Sequence, residues 1–215
     1  MRFDAIVVPR GAETRAVEAG WPAPRPLVLS VPAGSAAGDV LERGPVAPTA
    51  LVLGLCGALD PLLRVGDTVV YDRVIDGDDR FELDAEMTGA CAVACDRAPC
   101  NAANVARFIG AVAGKAALRA ATGAAVVDME GAAIAGTLAR RGVRVAMVRV
   151  VSDDAATELP NLNHVYDARG ALRPAVLAFA FARAPRRSAR FVAHALQALR
   201  ALRVTAARLA LSGGD

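Results

Sequence analysis

The stretch that most constrains this chain is VVDMEGAAIAGTLARRGVRVAMVRVVSDDA, residues 126–155. Its periodicity changes from strand to helix and back to strand, and a carboxylate stands at each point where apolar structure stops. Val126–Val127 ends a buried run, and Asp128, Met129 and Glu130 then open a helix of small residues over Gly131–Arg140. Acidic residues suit the positive end of a helix dipole, and Arg140-Arg141-Gly142 supplies a C-terminal stop. Val143–Val151 is an almost unbroken β-branched run, which predicts a strand covered on both faces. It stops at Ser152-Asp153-Asp154. Ligands of open α/β sheets bind beyond the carboxyl ends of strands, so Glu130 and Asp153 are expected at one rim.

The rest of the chain fits around that unit. Phe3–Val8 reads as a first strand ending in Pro9-Arg10-Gly11-Ala12-Glu13, with a helix beginning near Thr14. Glu13 falls just past a strand end; the competing reading is a solvated helix start. Trp21–Arg43 carries no motif beyond a short strand at Leu27–Val31. Ala50–Leu55 is the next strand, with Gly54 and Cys56-Gly57-Ala58 in a tight turn where the backbone can approach a ligand. That glycine spacing alone would also suit a nucleotide turn of another family, such as a methyltransferase. Thr68–Val74 and Arg80–Leu83 form a hairpin about Asp76-Gly77.

Two clusters invite a metal reading and do not support one. The acidic residues between Asp72 and Asp84 lack the ligand alternation and terminal Glu of a calcium loop. Cys91, Cys95 and Cys100 have no neighbouring CxxC pair and no nearby histidine, so no zinc site is expected. Solvated acids and small thiols are the simpler reading.

With 215 residues and 54% hydrophobic content, one core of ordinary size is expected. We expect an α/β fold with three layers, a twisted, mostly parallel or mixed central sheet flanked by helices. Residues 1–182 form the main domain. Residues 183–215 form a basic amphipathic helix packed on it or appended to it. The net charge of +3 is unevenly spread: nine arginines and no acid lie between Ala168 and Gly214. Arginines interleaved with Phe191, Val192, Leu196, Leu199, Leu202 and Leu209 suit either an anionic membrane surface or packing on the core with solvated charges. There is no secretory h-region and no span-length apolar run, so a cytoplasmic protein is expected, with peripheral contact at the inner membrane face as an option.

Two motifs in order, LVLGLCGALDPLLRVGDTVV and then DMEGAA followed by VRVVSDDA, resemble the nucleoside phosphorylase and nucleosidase superfamily. The wider pattern (Asp-Pro-x-x-Arg-x-Gly-Asp, Thr-Gly-Ala-x-x-Val-Asp-Met-Glu, then Leu-Pro) looks most like its hopanoid-associated members. The resemblance implies cleavage of a purine N-glycosidic bond. Asp153 would be the general acid for the leaving base, carrying a proton while purine is bound, with Ser152 orienting it. Glu130 would accept the ribose hydroxyls, and Met129 would pack on the sugar. Glu13 would hold the attacking water. Arg149, an arginine inside a buried strand, requires a carboxylate partner, and Glu13 or Glu130 is expected to face it. Cys56, Gly57 and Ala58 would line the substrate, Ala58 narrowing that wall. Phe108 would stack on the base, or serve instead as a core anchor. His164 or Tyr166 is within reach of the rim.

The Gly-Asp-Pro-x-Arg phosphate turn typical of the phosphorylases is absent after the first strand. Hydrolysis is therefore expected, of an adenosine-type nucleoside, including lipid-linked adenosylhopane. The alternatives are a phosphate-dependent purine nucleoside phosphorylase, a methylthioadenosine/S-adenosylhomocysteine nucleosidase, or a non-catalytic nucleoside-binding module. No metal or organic cofactor is implied, phosphate excepted for a phosphorylase. The expected partners are a small nucleoside and a second copy of the chain as a dimer, without nucleic acid.

Overall fold

The two apolar runs at Ala50–Leu55 and Val143–Val151 become the two long strands at the centre of the molecule. The computed structural model describes residues 2–45, 47–160, 165 and 173–212. In chain order the elements are β1 (Ala5–Pro9), α1 (Ala12–Gly20), β2 (Leu27–Val31), α2 (Ala36–Arg43), β3 (Thr49–Ala58), β4 (Thr68–Asp76), β5 (Asp79–Glu82) and α3 (Ala85–Cys95). Then follow β6 (Pro99–Asn104), α4 (Val112–Thr122), β7 (Val126–Asp128), α5 (Gly131–Arg140), β8 (Arg144–Asp153), α6 (Pro174–Arg183) and α7 (Pro185–Leu211).

β3 and β8 run parallel from Thr49↔Arg144 to Gly57↔Asp153. β1 and β2 extend the sheet in parallel beyond β3. On the other side β8 pairs antiparallel with β4, β4 pairs in parallel with β6, and β6 in parallel with β7. β7 returns antiparallel to β3 through Gly57↔Val127 and Ala58↔Val126. These five strands close into a ring. The expected mixed, mostly parallel sheet is present, but its closure on itself was not foreseen. The Val65-Gly66-Asp67 motif serves that closure: Gly66 (φ +93°) donates to the Val151 carbonyl, and Val151 N donates back to Asp67 O, each at 2.9 Å.

Strand alternation divides the apolar residues between two cores. Val52, Cys56, Met147 and Val151 join Ile134 and Leu138 of α5 and Leu41 of α2. Leu51, Leu53, Val148 and Val150 face Val17 of α1, Met87 of α3 and Leu202 and Leu209 of α7. Helices thus cover both faces, giving the three expected layers. The C-terminal basic segment is packed along one face: Ala198, Leu202 and Ala206 are fully buried. A Cβ at Gly20 of α1 would collide with the Arg203 carbonyl, so α1 and α7 lie as close as backbone allows. Burying each such leucine stabilises the fold by about 1.5–3 kcal/mol.

Some expectations need correction. The tight turn at Cys56-Gly57-Ala58 is not a turn: β3 continues through Ala58, with a register shift between Cys56 and Gly57. The hairpin turn is Gly77-Asp78, since Asp76 pairs with Asp79. α2, α3 and β6 arise from segments without a recognised pattern. β3 and β7 are antiparallel, so Glu130 and Asp153 do not follow carboxyl ends on one shared rim. β7 is short, and Val127 and Asp153 both pair with Gly57.

Candidate active site

β1 ends at Pro9, and Gly11, at φ +97°, redirects the chain into α1. Glu13 therefore enters the first helical turn beside β3, where its Oε2 accepts from Leu55 N at 2.8 Å. Gly54 shares a strand face with Val52 and Cys56, and the guanidinium of Arg149 crosses over it. A Cβ there would collide with Arg149 Nη1 and stand 2.7 Å from Glu13 Oε2. Gly54 is small because a carboxylate and a guanidinium occupy the space above it.

Arg149 is 0% exposed. Its ionic partner is Asp128, with Nη2 3.3 Å from Oδ2, whereas the sequence pointed to Glu13 or Glu130. Asp128 is held on three sides: Oδ1 accepts from Gly131 N at 3.1 Å, and Oδ2 accepts from the Tyr71 hydroxyl at 3.3 Å besides facing Arg149. Burial disfavours the charged form of the guanidinium. Asp128, Tyr71, Glu130 and Glu13 outweigh it and hold Arg149 more firmly charged than usual. Its three nitrogens nonetheless make no hydrogen bond to a described residue, so they retain donors for a water or substrate oxygen.

Three carboxylates surround this single cation, and burial raises all of them. Glu13, recessed but not sealed from solvent, is pushed up to about 7, with Arg149 opposing the rise and Glu130 adding to it. Asp128 and Glu130 are also raised, in both cases by burial against the pull of Arg149. Glu130 is 8% exposed, and its Oε1 accepts from Gly34 N at 2.8 Å in the β2–α2 loop. Met129 beside it is half-buried.

The other end of the site is differently built. Asp153, 4% exposed, closes β8. Ser152 Oγ lies 2.9 Å from Asp153 Oδ1 and 3.0 Å from the Cys56 carbonyl, so its one proton can serve either. A Cβ at Gly57 would stand 3.1 Å from Asp153 Oδ2, so glycine leaves that oxygen room. The same oxygen accepts from Lys115 Nζ at 2.5 Å, and Nζ also donates to the Asp154 carbonyl at 2.7 Å. Lys115 stands on α4 and is 1% exposed. Asp153, expected as a proton-bearing acid, is ion-paired with Lys115.

Of the residues the sequence pointed to, Glu13, Arg149 and Glu130 lie together, and Ser152, Asp153 and Gly57 form a second group at the end of β8. The side chains of Cys56 and Ala58 are buried in the core, that of Cys56 within electrostatic reach of Arg149 and Asp128. Burial pushes the Cys56 thiol well up. Phe108 is half-buried outside the core clusters, near Gly110, which bonds through its carbonyl to Leu159 N at 3.0 Å after β8. This places it on the loop leading to α4 and disfavours a core anchor. His164 and Tyr166 lie outside the described residues. Two charged residues of these clusters were not singled out by the sequence, Asp128 and Lys115. Lys115 had a signal: it is the chain's only lysine, all other basic side chains of the Lys+Arg total of 25 being arginine.

Two shallow surface hollows, one between the β4–β5 hairpin and α5, the other between α2 and α5, include none of these residues. Among the described residues, no group of three or more His, Cys, Asp or Glu is placed to hold a metal ion.

Residues 103–197 match the phosphorylase superfamily, a segment that contains Lys115, Glu130, Arg149 and Asp153. No curated protein matches the chain. Among solved structures, it is similar to native futalosine hydrolase of Helicobacter pylori strain 26695, with a TM-score of 0.71, 15% identity and 94% of each chain covered. It is similar to the Campylobacter jejuni 5′-methylthioadenosine/S-adenosyl homocysteine nucleosidase at a TM-score of 0.62 and 16% identity, over 93% of this chain and 98% of that one. The corresponding nucleosidase of Colwellia psychrerythraea 34H, in complex with adenine, gives 0.63 and 16%, over 94% and 96%. At such identities the structural likeness carries the fold, and the family match covers the second of the two motifs.

Proposed function

We propose that this phosphorylase-superfamily chain is a nucleosidase, an enzyme that hydrolyses the N-glycosidic bond of an adenosine-type nucleoside and releases adenine. The observation that carries this reading is Glu13, a carboxylate pushed up to about 7 beside a buried guanidinium with unserved donors. A general base works best when its pKa lies near the operating pH. A carboxylate in that position repels phosphate and activates water, which favours hydrolysis over phosphorolysis. The similarity to futalosine hydrolase and to methylthioadenosine/S-adenosylhomocysteine nucleosidases supports the same class.

In the proposed reaction, water sits between Glu13 and Arg149. As the bond from C1′ to N9 of the purine breaks, positive charge grows on the sugar and the bond electrons move onto the base. Glu130, ionised, accepts from the ribose hydroxyls and favours that sugar charge. Glu13 takes a proton from the attacking water. A proton reaches the leaving base from the Asp153 end, and the products are neutral adenine and the ribose with its 5′ substituent retained.

For the 5′ group we propose a bulky apolar substituent, as in adenosylhopane. The sequence pattern supports it, and so does α7, whose Arg186, Arg187, Arg190, Arg200 and Arg203 are exposed while the opposite face is buried. Val192 and Leu196 are also exposed, 41% and 52%. A basic face with apolar tips suits an anionic lipid surface. Among the described residues no helix is long and apolar enough to cross a membrane.

The test is adenine release from a panel of 5′-substituted adenosines. Faster release with a bulky apolar 5′ group supports the lipid-linked substrate. A preference for the methylthio group supports a methylthioadenosine-type substrate instead, and tight binding without release would make the chain a binding module.

A further inference from the structure

Lys115 has no place in the mechanism above, yet its setting is unusual. It is the single lysine of a chain that otherwise uses arginine for every basic side chain. It is 1% exposed, and its Nζ lies 2.5 Å from Asp153 Oδ2. Burying both members of an ion pair costs several kcal/mol per ion before their attraction offsets it, so such a pair is weak support for stability. Two donors of the ammonium are bound by Asp153 and by the Asp154 carbonyl, which fixes Nζ behind the carboxyl. Lysine and arginine differ here in one property that matters: an ammonium can give up its proton inside a protein, and a guanidinium does not.

We propose that Lys115 acts through Asp153 as the source of the proton delivered to the leaving purine. In the resting pair the proton is on Nζ and Asp153 is a carboxylate. As the C1′–N9 bond breaks and its electrons move onto the base, Nζ–H passes a proton to Asp153 Oδ2 and the carboxyl group passes a proton on to N7, leaving a neutral amine and a carboxylate. Water loses its proton to Glu13, its hydroxyl joins C1′, and the proton on Glu13 later returns to the amine through solvent. Charge and protons balance with no further reactant. Lys115 is a positioning residue that also carries the proton, and Asp153 is the group that touches the base. The inference rests on the nucleosidase reading.

The test compares Lys115→Met and Lys115→Arg on two substrates, a purine nucleoside and 4-nitrophenyl β-riboside, whose leaving group departs without protonation. For Lys115→Met, purine release should fall in kcat by about 10²–10⁴-fold, the size of a general-acid contribution. KM should change little, and cleavage of the nitrophenyl riboside should stay within a few-fold of wild type. Lys115→Arg keeps the charge and the hydrogen bonds, and should lose purine turnover to a similar degree. Recovery of purine turnover by Lys115→Arg would overturn the relay and leave only electrostatic positioning. Equal loss on both substrates by both variants would also overturn it, since the lysine would then be structural. A wild-type protein that cleaves no purine nucleoside would overturn the nucleosidase reading itself, and the relay with it.

Discussion

Around Arg149 three carboxylates, the buried Asp128 and Glu130 and the recessed Glu13, share one guanidinium, whereas at the end of the same strand Asp153 faces one ammonium, Lys115. All of these groups but Glu13 are buried, so solvent screening is weak at both clusters. At the first, negative groups outnumber positive ones, and protons are retained: Glu13 is pushed up to about 7. At the second the charges balance, and the carboxyl is paired. The difference assigns roles. A carboxylate that gains and loses a proton near neutrality is fitted to deprotonate water, while one backed by an ammonium is fitted to pass a proton outward. Environments that set paired titratable groups apart identify base and acid.

The largest expected effect breaks the comparison at its paired end. Asp153→Asn should lower kcat for purine release by about 10²–10⁴-fold while nucleoside still binds. Unchanged turnover would remove Asp153 from the reaction. In that background Lys115→Met should cost little more, because groups that act as one unit are not additive. Glu13→Gln tests the crowded end. Glu13 is useful ionised, so wild-type kcat/KM should rise as pH rises through about 7, and Glu13→Gln should be slow with that rise removed. A wild-type profile flat between pH 5 and 9 would deny Glu13 its role as base.

Glu130→Gln sharpens the division, since its carboxylate serves the sugar at neither reacting proton. Losing charge-assisted bonds of about 1.5–3 kcal/mol predicts roughly a 10- to 100-fold fall in kcat/KM, with the pH rise kept but moved to lower pH, because Glu130 helps to raise Glu13. Gly54→Ala crowds the Arg149–Glu13 contact, and overpacking of this kind costs about 1–3 kcal/mol of stability, read as a lower midpoint of urea unfolding. The smallest effect lies outside both clusters. Reversing Arg186, Arg187 and Arg190 to Glu should leave turnover of soluble adenosines unchanged and weaken co-sedimentation with anionic vesicles. Truncating α7 would not serve, because Leu202 and Leu209 belong to the core.

Much of this was legible before any coordinates. Val143–Val151 declared itself by β-branched composition, and Gly131–Arg140 by acidic start and arginine-glycine stop, matching α5 to the residue. Glu13, Glu130, Arg149 and Asp153 stood at strand ends or in a buried strand, where charged groups need a reason. Asp128 was hidden by its neighbour Glu130: a run of Asp-Met-Glu looks like one helix start, and only the strand β7 turns the first acid inward. Lys115 was hidden because a lysine in an alanine-rich helix normally faces solvent. Ring closure was hidden because a three-residue strand leaves no periodicity to read, and α3 because small residues fill most of it. Gly54 was visible as a glycine, but its reason was not: it clears space for a charged pair from two other elements.

The central claim is that water, positioned at Glu13 and Arg149, is the nucleophile. It is tested most directly by incubating the protein with adenosine in phosphate buffer and in phosphate-free buffer, then identifying the sugar product. Adenine release at the same rate in both, with free ribose as the product, is the predicted result. Release that requires phosphate and yields ribose 1-phosphate would contradict the account, and Glu13 would lose its role as the base.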